Sequence, residues 1–504
     1  MKRRFLANSV SGVINTLVSV VFVAITIPVF VDRMGIVAYG IFTLISLVNI
    51  INIIGNFGLT TSLIKYLSEQ GRSKESNNDI QLTMLFITGA STVLSTIVFS
   101  FEISVVRDVL GIGADRTTLD VIVCFRYLLL SNIFNILMQT CFGVFDSLQK
   151  IYISNAIQLA FNLASRGGML IMLLWRPSLA SLGFVYCLSS LLAVVVAAGA
   201  VFLVWGNFLE HMSFRDYRKG VKKHFRYSIS LYVTTMLGIA YEAVTKIVIN
   251  HFIGTTEVGL FDIAMRIKSV LWSIGDRILY PILPYIASLG DANARTVVME
   301  VEEKLTYVVI PFIVTFMFIA DALITVWIGP QRNAYLASAV ISIVSVNMLA
   351  LTVVPTYQYF TVKNHQRKNL MMQATNVIVN FSLFFPLYGY FGFYAIVFSF
   401  SSAIGCSFLL AYFYKFSLKI ASVQQVKKHA RIISIVAVLA CTDTLAVILL
   451  TSPLVVLVSV PIMNIFATVL LYRFLRFFSI EDIERYFGHN ASVKRYAYTL
   501  LIAK

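Results

Sequence analysis

Ionisable and hydroxyl side chains recur along one face of an otherwise apolar stretch, residues 259–289. At 100° per residue, a helix places all of them within about ±60° of one direction. They are Asp262, Arg266, Ser269, Ser273, Asp276, Arg277 and Tyr280. A charge at the centre of a bilayer costs roughly 3 kcal/mol on insertion scales. We therefore expect this polar stripe to face water, a partner or a substrate.

The composition is that of a polytopic membrane protein. Of 504 residues, 58% are hydrophobic and only 13% are charged, whereas soluble domains carry about 25% charged residues. The sequence predicts an all-α fold with about 14 spanning segments, because each of these stretches is long enough to cross a bilayer. The stretches are 8–30, 37–58, 80–101, 119–145, 151–175, 180–205, 225–250, 258–289, 304–328, 333–360, 369–388, 391–414, 431–450 and 453–474.

The basic residues indicate the orientation of the chain. The net charge is +16. If the N-terminus is cytoplasmic, 29 of the 40 Lys and Arg residues fall at cytoplasmic ends, five in outer loops and six within spans. This asymmetry is typical of a multi-pass protein and predicts that both termini are cytoplasmic. The positive charge then orients the chain and contacts anionic lipid, so no nucleic-acid partner is expected.

An internal repeat predicts two related bundles. When the chain is shifted by 219 residues, Gly35-x4-Gly40 aligns with Gly254-x4-Gly259, and Tyr66 aligns with Tyr285. Six spans separate the copies, so the copies share one orientation and should be related by an axis along the membrane normal. We expect an N-terminal six-helix bundle (1–205), a basic cytoplasmic linker (206–224), a C-terminal six-helix bundle (225–415), two accessory transmembrane helices (416–474) and a basic cytoplasmic tail (475–504).

Further polar side chains interrupt other spans. The first half offers amides together with one arginine, and the seventh span adds charge. These residues are Asn49, Asn52, Gln158, Asn162, Arg166, Glu242 and Lys246. We expect most of them to line a cavity between the bundles. The alternative is bracing, because Glu242–Lys246 and Asp262–Arg266 have the i,i+4 spacing of self-neutralising pairs. For Asp443, a proton or ion role and a hydrogen-bonded packing role both stay open.

Motifs for soluble enzyme chemistry are missing from the sequence. It holds no G-x4-G-K-[ST], no H-E-x-x-H and no G-x-S-x-G pattern, so ATP hydrolysis by a P-loop is not expected. The predicted outer loops are short and leave no room for an external catalytic domain. We expect no metal and no cofactor.

Several stretches together resemble the O-antigen flippase (Wzx-type) family of polysaccharide exporters, within the multidrug/oligosaccharidyl-lipid/polysaccharide exporter superfamily. They are Met34-Gly35, residues 39–42 (YGIF), 57–66 (FGLTTSLIKY), 143–150 (GVFDSLQK) and 258–267 (VGLFDIAMRI). One departure is Asn56, where the family commonly has Asp.

The resemblance implies a MATE-like, V-shaped fold and a transport function rather than an enzyme activity. Members move polyprenyl-diphosphate-linked oligosaccharide from the cytoplasmic to the outer leaflet by alternating access, powered by an H⁺ or Na⁺ gradient. It further implies a role in lipopolysaccharide biosynthesis in the bacterial inner membrane, among membrane lipids, polysaccharide polymerases and chain-length proteins. The alternatives are a multidrug or metabolite antiporter and, from another class, a membrane polysaccharide polymerase or acyltransferase.

This function suggests roles for the polar residues. Basic side chains would hold the diphosphate or acidic sugars: Arg266, Arg277, Lys246 and Arg166. Amides would bind sugar hydroxyls: Asn49, Asn52, Gln158 and Asn162. Carboxylates would couple the ion: Glu242, Asp262 and Asp276.

Overall fold

In the computed structural model, all regular elements of the described residues are helical. Those residues are 2–209, 214–279, 282–329, 334–363, 365–418, 420, 432–450 and 452–474. The helices are α1 (Lys2–Ile45), α2 (Ile50–Asn56), α3 (Leu59–Gln70), α4 (Lys74–Ser100), α5 (Glu102–Ser104), α6 (Leu119–Ser147), α7 (Ile151–Asn162), α8 (Gly168–Trp175), α9 (Leu179–Trp205), α10 (Phe214–Phe252), α11 (Thr255–Leu279), α12 (Ile282–Ser288), α13 (Asp291–Ile328), α14 (Ala334–Leu351), α15 (Val354–Val362), α16 (Gln366–Phe391), α17 (Phe393–Ser417), α18 (Ile432–Leu449) and α19 (Pro453–Phe474). The expected tail, 475–504, lies outside the described residues.

The helices confirm an all-α, multi-pass membrane protein. Within the described ranges nine helical stretches are long and apolar enough to span, or ten if α14 and α15, bent by 47°, form one span. Two of the predicted spans, 8–30 and 37–58, lie on either side of a kink in α1, and the second continues through a 3₁₀ turn (Ser46–Asn49) into α2. Gly35, with φ +81°, bends that helix between them, a conformation that glycine adopts without a Cβ clash. The total of 14 spans stays a prediction.

The described residues form two compact units. The first comprises Met1–Ile263 with Tyr390–Phe393, and the second comprises the described parts of Ala264–Gly389 and Tyr394–Lys504. The contact-based boundary thus falls within α11, whereas the repeat places a boundary at 206–224. The predicted domain limits stay a prediction.

The first unit is built around α6 and α9, which pack side by side. Their contact is close because Gly183 of α9 presents only hydrogen to the backbone of Cys124 in α6; a Cβ there would lie 3.0 Å from the Cys124 carbonyl oxygen. Val144 and Phe145 of α6 are surrounded by buried apolar side chains of α3, α7 and α9, among them Leu67, Phe161 and Trp205. Most of this core therefore depends on residues that hydropathy alone marks as membrane-spanning.

The second unit is centred on α13, which contacts α14, α15, α18 and α19. One of its cores joins Ala294 and Val298 of α13 with Tyr359 of α15 and Tyr414 of α17. The buried Glu302 carboxylate accepts hydrogen bonds from the Thr356 backbone N–H at 3.1 Å and from the Lys415 ammonium. This pair fixes the end of α17 against α13.

The two copies of the glycine repeat meet each other inside the first unit. A Cβ on Gly40 would lie 2.1 Å from the Thr255 carbonyl oxygen, and a Cβ on Gly259 would lie 3.0 Å from the Ile36 carbonyl oxygen. Gly40 and Gly259 are 219 residues apart, and so are Ile36 and Thr255. Such reciprocity, in which residue i contacts j and the repeat equivalent of j contacts that of i, is the signature of an approximate twofold axis.

The beginning of α10 is bound to the same unit by a buried carboxylate. The expected linker, 206–224, overlaps α10 from Phe214 onward, and residues 210–213 are outside the described residues. Asp79 of α4 accepts a hydrogen bond from the Lys223 ammonium at 2.8 Å and lies 3.2 Å from the His224 ring nitrogen Nε2. Burial lowers the pKa of Lys223, but hydrogen bonds to Asp79 and Glu75 outweigh it, so the pKa is raised above its usual value. These bonds explain why the helix extends into the basic segment.

We expect Gly40→Ala to destabilise the protein, because its new methyl group meets a backbone carbonyl that cannot rotate away. Overpacking of this kind costs about 1–3 kcal/mol. The matched control is Gly199→Ala in α9, where a Cβ meets nothing within 4 Å and alanine should be neutral or stabilise by roughly 0.5–1 kcal/mol. Thermal unfolding of the purified proteins measures both, and equal midpoints for the two variants would contradict the close crossing.

Candidate functional site

A buried ion pair joins α10 and α11. The Lys246 ammonium donates to Asp262 Oδ1 at 2.7 Å and lies 2.8 Å from Glu242 Oε1. The Tyr39 hydroxyl of α1 donates to the second oxygen of Asp262, Oδ2, at 2.6 Å. Asp262 and Lys246 are 1% and 6% exposed, whereas the Glu242 side chain is 36% exposed. The four residues form what we call the Lys246 cluster.

A tight turn brings the two charged helices together. Gly254, with φ +155°, separates α10 from α11. Asn250 ties the turn, since its side-chain oxygen accepts from the Thr255 hydroxyl at 2.7 Å while its amide nitrogen donates to the Leu110 carbonyl at 2.8 Å. The chain reverses its direction over these few residues. Asp262, 16 positions after Lys246, therefore lies opposite Lys246.

The Lys246 cluster is arranged so that each buried charge has a partner. One ammonium faces two carboxylates, and the Tyr39 hydroxyl supplies a further donor to Asp262. Removing a charge from water costs several kcal/mol, which is recovered only with close partners of opposite charge. The ion pair Glu242–Lys246, which the i,i+4 spacing suggested as a brace, is therefore present. Whether Lys246 also binds substrate stays a prediction.

The predicted polar residues of the fifth span bind α1. Asn162 is buried and donates to Asn15 Oδ1 at 3.0 Å and to the Ser19 hydroxyl at 3.1 Å. Gln158 donates weakly to Asn162 at 3.4 Å, and Arg166 donates to the Ser19 carbonyl at 2.9 Å. These contacts hold α7 and the π-helical turn after it against α1. The expected sugar-binding role of Gln158 and Asn162, and the anion-binding role of Arg166, stay predictions.

The amides of the second span lie in another part of the first unit. Asn52 on α2 is 7% exposed, and Asn49, in the short 3₁₀ turn before α2, is partly exposed. The side-chain oxygens of both are buried without a hydrogen-bond partner among the described residues. Buried acceptors of this kind retain the capacity to bind a donor, such as water or a hydroxyl group.

The rest of the stripe belongs to the second unit, where Ser269 is exposed and Ser273 is partly buried. Arg266 and Asp276 are both exposed residues of α11. The side chain of Arg277, and the whole of Tyr280, lie outside the described residues. The structure thus brings together Glu242, Lys246 and Asp262, and separately Gln158, Asn162 and Arg166.

Sequence reasoning missed Tyr39 and Asn15 as partners of these groups. For Tyr39 a signal was available, because the 219-residue shift aligns the neighbouring Gly40 with Gly259, one turn before Asp262. For Asn15 the signal was its i+4 spacing from Ser11 and i−4 spacing from Ser19 on one helix face. Ser11 takes part in the same interface, accepting from Asn155 at 2.9 Å.

Comparison with known families assigns the chain. The sequence profile of the family described as "Polysaccharide biosynthesis protein" matches residues 3–289, more than half of the chain. The protein belongs to this family. No curated protein sequence matches the chain.

Solved structures establish the fold. A structure described as "Lipid II flippase MurJ, inward closed conformation" is similar with a TM-score of 0.74 at 12% identity, over 92% of this chain and 97% of that chain. The MATE transporter VcmN of Vibrio cholerae gives a TM-score of 0.58 at 11% identity, over 83% and 97%. An inward-facing multidrug resistance MATE transporter of the MOP superfamily gives 0.53 at 15% identity, over 81% and 96%. The expected MATE-like fold is confirmed.

Replacing Asp262 by Asn should strongly destabilise the first unit, because the buried Lys246 ammonium then loses its buried carboxylate partner. Breaking a buried pair on one side costs about 3–5 kcal/mol. The double variant Lys246→Gln/Asp262→Asn removes both buried charges of the cluster and should recover part of that loss, because the Glu242 carboxylate that then loses Lys246 is 36% exposed. Unfolding midpoints of the purified variants measure the effect.

The control is Glu242→Gln, which should cost much less because the Glu242 side chain is 36% exposed and exposed ion pairs contribute only about 0–1 kcal/mol. If the double variant is no more stable than Asp262→Asn, the pair does not hold α10 against α11.

Proposed function

We propose that this protein flips polyprenyl-diphosphate-linked oligosaccharide repeat units, of O-antigen or a related surface polysaccharide, from the cytoplasmic to the outer leaflet. The observation that carries the proposal is the match of residues 3–289 to the polysaccharide biosynthesis family. The fold supports it, since one protein that shares the fold is described as a lipid II flippase. A multi-pass helical chain of this family is suited to transport rather than to catalysis.

The basic residues on the polar stripe of α11 are suited to bind a diphosphate. Arg266 is exposed on the polar stripe of α11, and a guanidinium binds phosphate oxygens through two parallel hydrogen bonds. Arg277 shares that face by helical spacing. In this proposal both hold the diphosphate, with Lys246 and Arg166 as further cations. The amides Asn49, Asn52, Gln158 and Asn162 bind sugar hydroxyls.

An H⁺ or Na⁺ gradient drives alternating access in this proposal, in the manner of an antiporter. Glu242, Asp262 and Asp276 are the carboxylates that couple it. Glu242 is the most suitable for exchange, because it contacts Lys246 yet remains partly exposed. Loss of its charge weakens the hold on the Lys246 ammonium, which links ion binding to substrate binding. The protein acts in the bacterial inner membrane with both termini cytoplasmic, beside a polymerase and chain-length proteins.

Arg266→Ala should abolish surface polysaccharide while leaving the protein level normal, because it removes the bidentate contact to the diphosphate. Arg277→Ala should have the same effect on surface polysaccharide and on the protein level. The matched control is Lys268→Ala, which removes a positive charge from the same helix about 120° away from Asp262. Immunoblots of surface polysaccharide and of the protein give the result. Normal polymer in both arginine variants would overturn the assignment of these residues.

The function itself is tested in a deletion strain. A flippase deletion should accumulate lipid-linked repeat units that face the cytoplasm, protected from an impermeant sugar-modifying probe in intact spheroplasts. Accumulation of accessible units on the outer leaflet would instead indicate a polymerase. Complementation by the wild-type chain, but not by Arg266→Ala, ties the phenotype to this protein.

A second candidate is a multidrug or metabolite antiporter. The charges of the Lys246 cluster favour it, because two carboxylates face one ammonium and the net negative charge attracts cations. The fold shared with MATE transporters favours it as well. Increased sensitivity of the deletion strain to cationic drugs, with normal surface polysaccharide, would support this candidate and reject the flippase.

A further inference from the structure

The accessory helices dock on α13 at a proline. Pro311 has no N–H, so the carbonyl of Tyr307, one turn earlier, loses its helical donor. The Tyr472 hydroxyl of α19 donates to that carbonyl at 2.5 Å. Around this bond Val314 of α13 packs with Ile435 and Leu439 of α18. The helix pair α18–α19 is therefore attached through a freed backbone group and an apolar surface.

A polar cluster lies within this apolar interface. Asn464 of α19 donates from its amide nitrogen to Asp443 Oδ2 of α18 at 2.8 Å and to the Thr315 hydroxyl of α13 at 2.8 Å. Asp443 is 0% exposed and Asn464 is 3% exposed. The three side chains thus connect all three helices by hydrogen bonds, away from water.

One oxygen of the carboxylate has no donor in the part of the chain that the structure describes. Asp443 Oδ1 and Asn464 Oδ1 are buried, and neither has a hydrogen-bond partner among the described residues. The Thr315 hydroxyl already donates to the Pro311 carbonyl at 2.9 Å. A buried acceptor without a donor is unfavourable, so the ionised form of Asp443 is incompletely stabilised by its neighbours among the described residues.

Among the described residues, the helix stretches that meet at this cluster hold a single basic residue, Arg473, nine positions beyond Asn464. Asp443 is the only charged residue in the sequence of α18, and Arg473 at the far end is the only one in α19. On the part of α13 from 305 to 328 the only charged residue is Asp321, which is exposed and also acidic. An ionised carboxylate in apolar surroundings without a cation is strongly unfavourable.

We propose that Asp443 is a reversible proton-binding site that controls the docking of α18 and α19 on α13. A proton on Asp443 Oδ1, the oxygen without a donor, removes the charge of the buried side chain. Loss of the proton leaves a buried carboxylate among apolar side chains with the Asn464 amide as its donor among the described residues, which weakens the interface. The site is independent of the transported substrate and holds with either candidate function.

The decisive measurement is infrared spectroscopy of the wild-type protein in lipid nanodiscs as the pH is raised. We expect the carbonyl stretch of a protonated carboxylic acid at low pH, lost in Asp443→Asn. Asn464→Leu keeps the carboxyl group and should shift the frequency of the same band. Absence of an Asp443-dependent band at every pH would overturn the proposal.

Thermal unfolding tests the consequence for docking. The wild-type midpoint should fall as the pH rises, and this dependence should be lost in Asp443→Asn, which mimics the neutral form. The matched control Asp321→Asn, on the exposed side of α13, should keep the wild-type dependence. Runs in sodium chloride and choline chloride separate the ligands, because an Asp443-dependent stabilisation by Na⁺ without a pH dependence would assign the site to a metal cation instead.

Discussion

Two glycines that let the backbones of α1 and α11 touch determine where the buried charges of the first unit can meet. Side chains at Gly40 and Gly259 would push against the carbonyl oxygens of Thr255 and Ile36. Because the helices approach this closely, the Tyr39 hydroxyl reaches Asp262. A wider crossing would remove a donor from a carboxylate that is 1% exposed, and an incompletely partnered buried charge costs several kcal/mol.

The need of buried polar groups for partners also explains why many polar residues of the spans hold helices together. In hydrocarbon every polar group needs an internal partner, so Asn162 and Arg166 bind α1, Glu302 binds Lys415, and Asn464 binds Asp443. Other polar side chains of the helices stay more accessible. Arg266 is exposed and Glu242 partly exposed, whereas Asn162 is buried, although all three interrupt apolar helices in the sequence.

The fold is retained at 12% identity with a TM-score of 0.74, which fits these constraints. Lipid selects for apolar surface but not for particular side chains, so most positions of a span can change freely. What must persist is a small number of close crossings, helix breaks and paired charges. A family profile detects the first part of this chain, while the overall arrangement is visible only in three dimensions.

The sequence by itself determined the membrane class, the positions of most helices, the 219-residue repeat, the family resemblance and the polar face of α11. It also identified Glu242–Lys246 as a pair, because helical hydrogen bonds are local and i,i+4 neighbours follow from them. Only the tertiary structure decided that Asp262 meets Lys246 and Tyr39, the latter 223 positions away, and that Asn162 binds Asn15. Periodicity reports which face of a helix is polar, but the neighbour of that face is set by how distant helices pack. Packing depends on small residues and turns, such as Gly40, Gly259 and Gly254, whose effect appears only when the helices are brought together.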